Sequence, residues 1–137
     1  MFGFGKKDKN ESGKIPNKLA DFLDAADIKY MDAFNTRNHM LLKEHFTREC
    51  AIHLSVAIKE IGCTRNFMTE KVRDTVWTIL SEDNDTIEIK KEVTYKEFRC
   101  WSTTKQKFGV DYSESWLLIK DSDSWKVSKV TFLEGVC

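Results

Sequence analysis

A chain of 137 residues, 41% of them hydrophobic, with one proline and six glycines, is one domain in size and long enough to bury a core without staples, which excludes a disordered or fibrous protein. Its 22 basic and 22 acidic residues leave no net charge, so no chain-wide positive field exists to gather nucleic acid or an acidic membrane. Five of the basic and two of the acidic residues fall within residues 1–18, leaving 17 against 20 in residues 19–137; this faint acidity argues further against nucleic acid as a partner.

Residues 1–14 (MFGFGKKDKNESGK) are polar and lysine-rich after the first four and read as a flexible basic arm, with a single folded domain over 15–137. An alternative use of the arm is a weak membrane-surface contact, Phe2 and Phe4 dipping into the interface with Lys6, Lys7 and Lys9 beside phosphates. The glycines of GFG have neither a strand before them nor a helix after them, so no phosphate loop and no cofactor is expected. Met1 to Gly5 runs straight into lysines with no apolar leader behind it, and no apolar run approaches the roughly 20 residues that span a bilayer. Cys50, Cys63, Cys100 and Cys137 have no short spacing from which a CxxC pair or zinc knuckle could be written, so reduced thiols in a cytoplasmic chain are expected.

Leu19, Phe22, Leu23, Ala26, Tyr30, Ala33 and Phe34 recur at three and four residues, predicting a long helix with one buried face, Asn17 as its N-cap and an end near Asn35–Asn38. Met40, Leu41, Leu42 and Phe46 predict a second helix. Thr47 would cap a third that buries Cys50, Leu54, Ala57, Ile58 and Ile61 before Gly62 ends it. From Val72 the period changes to two. Residues 72–80 (VRDTVWTIL) predict a strand and SEDND a turn; Ile87, Ile89, Val93 and Tyr95 share a face, while the changed parity at Phe98 and Cys100 predicts a bulge near Lys96 and Glu97. Residues 112–132 predict a hairpin with Lys120 opposite Trp125, Leu118 opposite Val127 and Trp116 opposite Lys129; Val130 and Phe132 then change parity, as another bulge would make them. The expected fold is α+β: three N-terminal helices packed on a curved antiparallel sheet of four or more strands, cone-shaped, with a pocket at the open end.

This order of elements, together with NTRNHMLLKEHFTRE and SESWLLIKDSDSWKVSKV, resembles the nuclear transport factor 2-like superfamily, the cystatin-like α+β cone, over roughly residues 17–133. A helix at 48–61 in place of a strand is more similar to the C-terminal domain of the mitochondrial import-motor scaffold and its bacterial relatives. That branch implies association with a peptide, a protein or a membrane surface, without catalysis. Enzymatic relatives use an aspartate base with a tyrosine and a protonated acid, or a histidine and an aspartate; neither set matches this chain residue by residue.

Alternation places Glu114 between Tyr112 and Trp116 and puts Asp111 on the other face. A carboxylate buried among rings could act as a general acid or base, which makes Glu114 with Tyr30 the candidate catalytic pair, as against a Glu114 that lies near the rim or pairs with a lysine. Tyr30, Phe34, Trp77, Tyr95, Trp101, Tyr112 and Trp116 are the candidate ligand-lining rings, as against plain core. His45, Glu49 and His53 are four apart, but Thr47 would break their stripe, so no metal site is expected. The expected function is non-catalytic: an apolar small molecule, peptide or partner protein held in the cone. An isomerase- or dehydratase-like enzyme using Glu114 is the alternative, and a peripheral membrane adaptor the third. Trp116 and Leu118 on one face, with Leu117 and Ile119 on the other, make a homodimer through the outer sheet plausible.

Overall fold

The computed structural model describes residues 15–61, 71–99 and 106–134; the expected arm, Gly62, Cys63, Cys100, Trp101 and Cys137 lie outside the described residues. The chain is α+β, with two α-helices, α1 (Asn17–Thr36) and α2 (Arg48–Ile61), followed by four strands, β1 (Val76–Glu82), β2 (Thr86–Arg99), β3 (Gln106–Asp121) and β4 (Ser124–Glu134). The strands form one antiparallel meander in the order β1-β2-β3-β4.

The apolar stripe of α1 is buried as its spacing requires: Leu19, Leu23, Ala26, Tyr30, Ala33 and Phe34 are all 4% exposed or less. Each large side chain among them contributes about 2 kcal/mol by leaving water. Asn17 is the first helical residue and Pro16 stands at the cap, its carbonyl accepting from the Ala20 N–H at 2.9 Å, because proline needs no N–H there. The helix ends where Arg37 turns left-handed, with φ 57° and ψ 40°.

The middle helix of the three is replaced by a single 3₁₀ turn at His39–Leu42, capped by the Asn38 side chain on the Met40 N–H at 3.2 Å. The backbone after it is drawn to the free edge of β4: Val127 N–H donates to the His45 carbonyl at 2.8 Å, and Thr47 N–H to the Val127 carbonyl at 2.9 Å. These bonds cover an edge that would otherwise be open and make Phe46 and Val127 a single parallel bridge. Thr47 then caps α2 through Oγ1, which accepts from the Cys50 N–H at 3.2 Å, and α2 buries Cys50, Leu54 and Ile58.

β1 begins four residues later than the apolar run at 72–80, because Lys71 to Thr75 are held differently. Lys71 makes a single bridge to Tyr95, Arg73 donates to Thr94 Oγ1, and Thr75 turns toward α1. β2 and β3 stay in one register along their whole paired length, with Ile89 opposite Trp116, Lys91 opposite Glu114 and Val93 opposite Tyr112. The expected bulge on β2 at Lys96–Glu97 is therefore absent. The irregularity sits across from it at Gly109, whose φ of +61° is backbone that glycine takes at little cost. In the hairpin, Lys120 faces Trp125 and Leu118 faces Val127 as expected, and a shift between Leu117 and Leu118 puts Val130 rather than Lys129 opposite Trp116. The core closes around Trp116, Tyr95, Phe46, Ile89, Leu118 and Val127, all 2% exposed or less. Among the described residues no helix is long and apolar enough to cross a membrane.

A left-handed arginine is strained relative to glycine. Arg37→Gly, at an exposed position, is expected to raise unfolding stability by about 0.5–1 kcal/mol, read as a higher urea midpoint with an unchanged slope.

Candidate functional site

The face of β2 and β3 turned to α1 carries two charges in its middle. Lys91 and Glu114 are opposite each other in register, and both are at most 1% exposed. Facing them from α1 is Asp27, fully buried, one turn before Tyr30. Lys91 Nζ lies 2.5 Å from Asp27 Oδ1 and 3.6 Å from Glu114 Oε1. The contact with Asp27 is a close, fully buried ion pair, both side chains being 0% exposed. Asp27 Oδ2 accepts from Lys71 Nζ at 2.6 Å and from Thr75 Oγ1 at 3.1 Å. Lys71, Asp27, Lys91 and Glu114 thus form a row of alternating sign from the half-buried flank of β1 into the middle of the core.

Glu114 is encircled by donors. Tyr30 Oη donates to Oε2 at 2.6 Å, Tyr112 Oη to the same oxygen at 2.9 Å, and Trp116 Nε1 to Oε1 at 2.9 Å. The Lys91 ammonium also lies 4.6 Å from the Tyr30 ring centre and 5.2 Å from that of Trp116, where ring faces attract a desolvated cation.

Burial alone would lift the Asp27 carboxyl, but the ammonium groups of Lys91 and Lys71 outweigh it and hold the group below its ordinary value of 3.8. Burial pulls Lys91 down, and Asp27 followed by Tyr95 and Glu114 overcomes this, leaving it above its ordinary 10.5. Burial raises the Tyr30 and Tyr112 phenols, and the Glu114 carboxylate raises both further. Burial pushes Tyr95 up to about 12 against the opposing pull of Lys91. The lysine is therefore held as an ammonium and the phenols as neutral donors. In an acid–base enzyme such donors would point at a substrate oxygen; here Tyr30 and Tyr112 both point at Glu114 Oε2, while Trp116 Nε1 takes Oε1.

The expected site residues meet in part. Tyr30, Glu114, Tyr112 and Trp116 form one cluster; Phe34 packs 5.0 Å from Tyr30, and Tyr95 6.0 Å from Tyr112, between ring centres. Trp77 is half-buried, its ring 5.1 Å from Trp116 and its Nε1 donating to Asp24 Oδ1 at 2.9 Å. Trp101 lies outside the described residues. Asp27, Lys91 and Lys71 belong to the centre although no motif marks them. Lys91 alternates with Ile89 and Val93, and Asp27 sits on the Leu23–Tyr30 stripe; both are charges in inward positions. His45 precedes α2 while Glu49 and His53 project from it into solvent, and no metal-binding group of three forms among the described residues.

A pocket of about 570 Å³ opens elsewhere, between the 3₁₀ turn, the first half of α2 and the tip of the β3–β4 hairpin. Its apolar lining residues are Met40, Phe46, Ala51, Ile52 and Ile119. Met40 and Ile52 are 60% and 56% exposed at its mouth.

No protein-family model matches the sequence, and no curated protein does. A solved structure from Novosphingobium aromaticivorans, named a "putative aromatic ring hydroxylase", superposes with a TM-score of 0.53 over 90% of this chain and 96% of that one, at 12% identity. At that identity the likeness is one of fold.

Two outcomes follow for the buried centre. Glu114→Gln, which keeps the shape but leaves Lys91 with one carboxylate fewer, is expected to cost about 3 kcal/mol, measured by urea unfolding; a loss below about 1 kcal/mol would contradict the assigned role. Folding lowers the Asp27 value below 3.8, so its contribution is complete above that pH and is lost as pH falls below it. Folding raises Lys91 above 10.5 and the three tyrosines above 10.0, so their contribution is complete below about pH 10 and is lost above it. Thermal midpoints against pH should therefore fall at both ends of that window.

Proposed function

We propose that this chain is a non-catalytic binding domain of the cone-shaped, nuclear transport factor 2-like kind, taking an apolar small molecule in the pocket beside α2. The carrying observation is a contrast in access. The Glu114 carboxylate under α1 is buried, 1% exposed, with Tyr30 and Trp116 no more than 3% exposed beside it, whereas the pocket walled by Phe46, Ala51, Ile52 and Ile119 stands open with a volume of about 570 Å³. That size suits a single drug-sized ligand. The cone reading is supported by the fold likeness over 90% of the chain and by three register shifts, at Ile79/Ser81, Ser113/Glu114 and Leu117/Leu118, since bulges bend strands. Val76, Leu80 and Leu133, 42–52% exposed, support a homodimer through the sheet. The buried, unbridged Cys50, its thiol pushed up by burial to about 11, is in keeping with a cytoplasmic chain.

The second reading is an enzyme of the kind that the neighbour's name describes or of the isomerase type. It draws on the convergence of Tyr30 and Tyr112 on one oxygen of Glu114 and on the half-buried position of Tyr112.

Titration of isotope-labelled protein with 1-octanol separates the two. The binding reading expects saturable amide shifts at Met40, Ala51, Ile52 and Ile119. Shifts gathered instead around Trp77, Tyr95 and Tyr112 would favour the enzyme reading, and no saturable shift at the pocket would overturn the proposal.

A further inference from the structure

The pocket beside α2 carries a charge pattern that its apolar walls do not require. Lys43, Arg48, Lys120 and Lys126 line it against a single carboxylate, Asp121, in a chain whose charges balance. None of these four is ion-paired among the described residues. Two are fixed by neutral partners: Lys126 Nζ donates to the Glu44 backbone carbonyl at 2.7 Å, and Lys120 Nζ lies 5.5 Å from the centre of the Trp125 ring. Such partners hold an ammonium in place and leave its charge uncompensated. Thr47, the cap of α2, also lines the pocket, so the positive end of the helix dipole falls on the same rim. Glu44 and Glu49 adjoin these residues in sequence but do not line the pocket.

Apolar lining residues beside four cations that lack an ion pair among the described residues are complementary to an amphiphile with an anionic head. We infer that the ligand is a free medium-chain carboxylate, its tail against Phe46, Ala51, Ile52 and Ile119 and its head among Lys43, Arg48, Lys120 and Lys126. A pocket of this volume encloses one small molecule and has no room for the repeated anchors of a docked amphipathic helix. This inference rests on the reading of the pocket as the ligand site and adds the sign of the ligand's charge.

Calorimetry on the full chain at low salt, with sodium octanoate and 1-octanol as probes, tests it. Charge-assisted contacts predict octanoate binding at least about tenfold tighter than octanol, with the difference shrinking as salt is added. The double variant Lys43→Gln/Arg48→Gln, whose thermal midpoint checks that the fold is kept, should lose about tenfold in octanoate affinity. Octanol binding as tightly as octanoate would overturn the charge inference while sparing the pocket. Failure of both probes to bind saturably would overturn both. Sedimentation with phosphatidylglycerol vesicles in the absence of octanoate binding would assign the cations to a lipid surface and overturn the free-carboxylate inference.

Discussion

The rest of the structure hangs on one buried row of charges, Lys71, Asp27, Lys91 and Glu114. Taking Asp27, Lys91 and Glu114 out of water costs several kcal/mol each, and attraction between neighbours offsets this only when every partner, the half-buried Lys71 included, is in place. That condition constrains the fold more tightly than apolar packing would. Apolar side chains tolerate a shift of α1 over the sheet, since one aliphatic contact replaces another. A shift of one helical turn would instead pull Asp27 off Lys91 and leave an ammonium unpaired in the core. Sliding β2 against β3 would separate Lys91 from Glu114 in the same way. The row thus ties α1 to β2, and β2 to β3, in a single register.

Around this row the aromatic residues act as walls and as donors at once. Tyr30, Tyr112 and Trp116 each place a ring in the core and a polar hydrogen on Glu114. Phe46 and Trp77 pack on Trp116 with ring centres 5.6 and 5.1 Å away, within the range where tilted rings attract. The interior beneath α1 is thereby filled by the chain itself. The open pocket lies beside the 3₁₀ turn and the start of α2, where Thr47 and His45 bond to Val127 of β4.

Much of this was legible in the sequence. Strand alternation placed Glu114 between Tyr112 and Trp116 and helical spacing turned Tyr30 inward, so their meeting could be expected. Asp27 and Lys91 were not found, though each occupies an inward position of an apolar pattern. A charged residue in such a place ordinarily belongs to a solvated border, and only its partner, 64 positions away along the chain, makes burial tolerable. No local pattern holds that information. The same limit explains the middle helix: Met40, Leu41, Leu42 and Phe46 have helical spacing, yet pairing with Val127, some 80 residues later, takes the backbone at 45–47, and tertiary bonds override a weak local preference. The parity change at Phe98 suggested a bulge on β2, but β2 and β3 keep one register past it.

The most direct measurement is a double-mutant cycle on the central pair, with unfolding free energies for the wild type, Asp27→Asn, Lys91→Met and the double variant. If the row governs the fold, each single change strands a buried charge and the double change removes both charges of the pair. The double variant should then be less destabilised than the sum of the singles by at least about 2 kcal/mol. Additivity within about 0.5 kcal/mol would mean that the two groups do not depend on each other, and the row would lose its place as the constraint that sets α1 on the sheet.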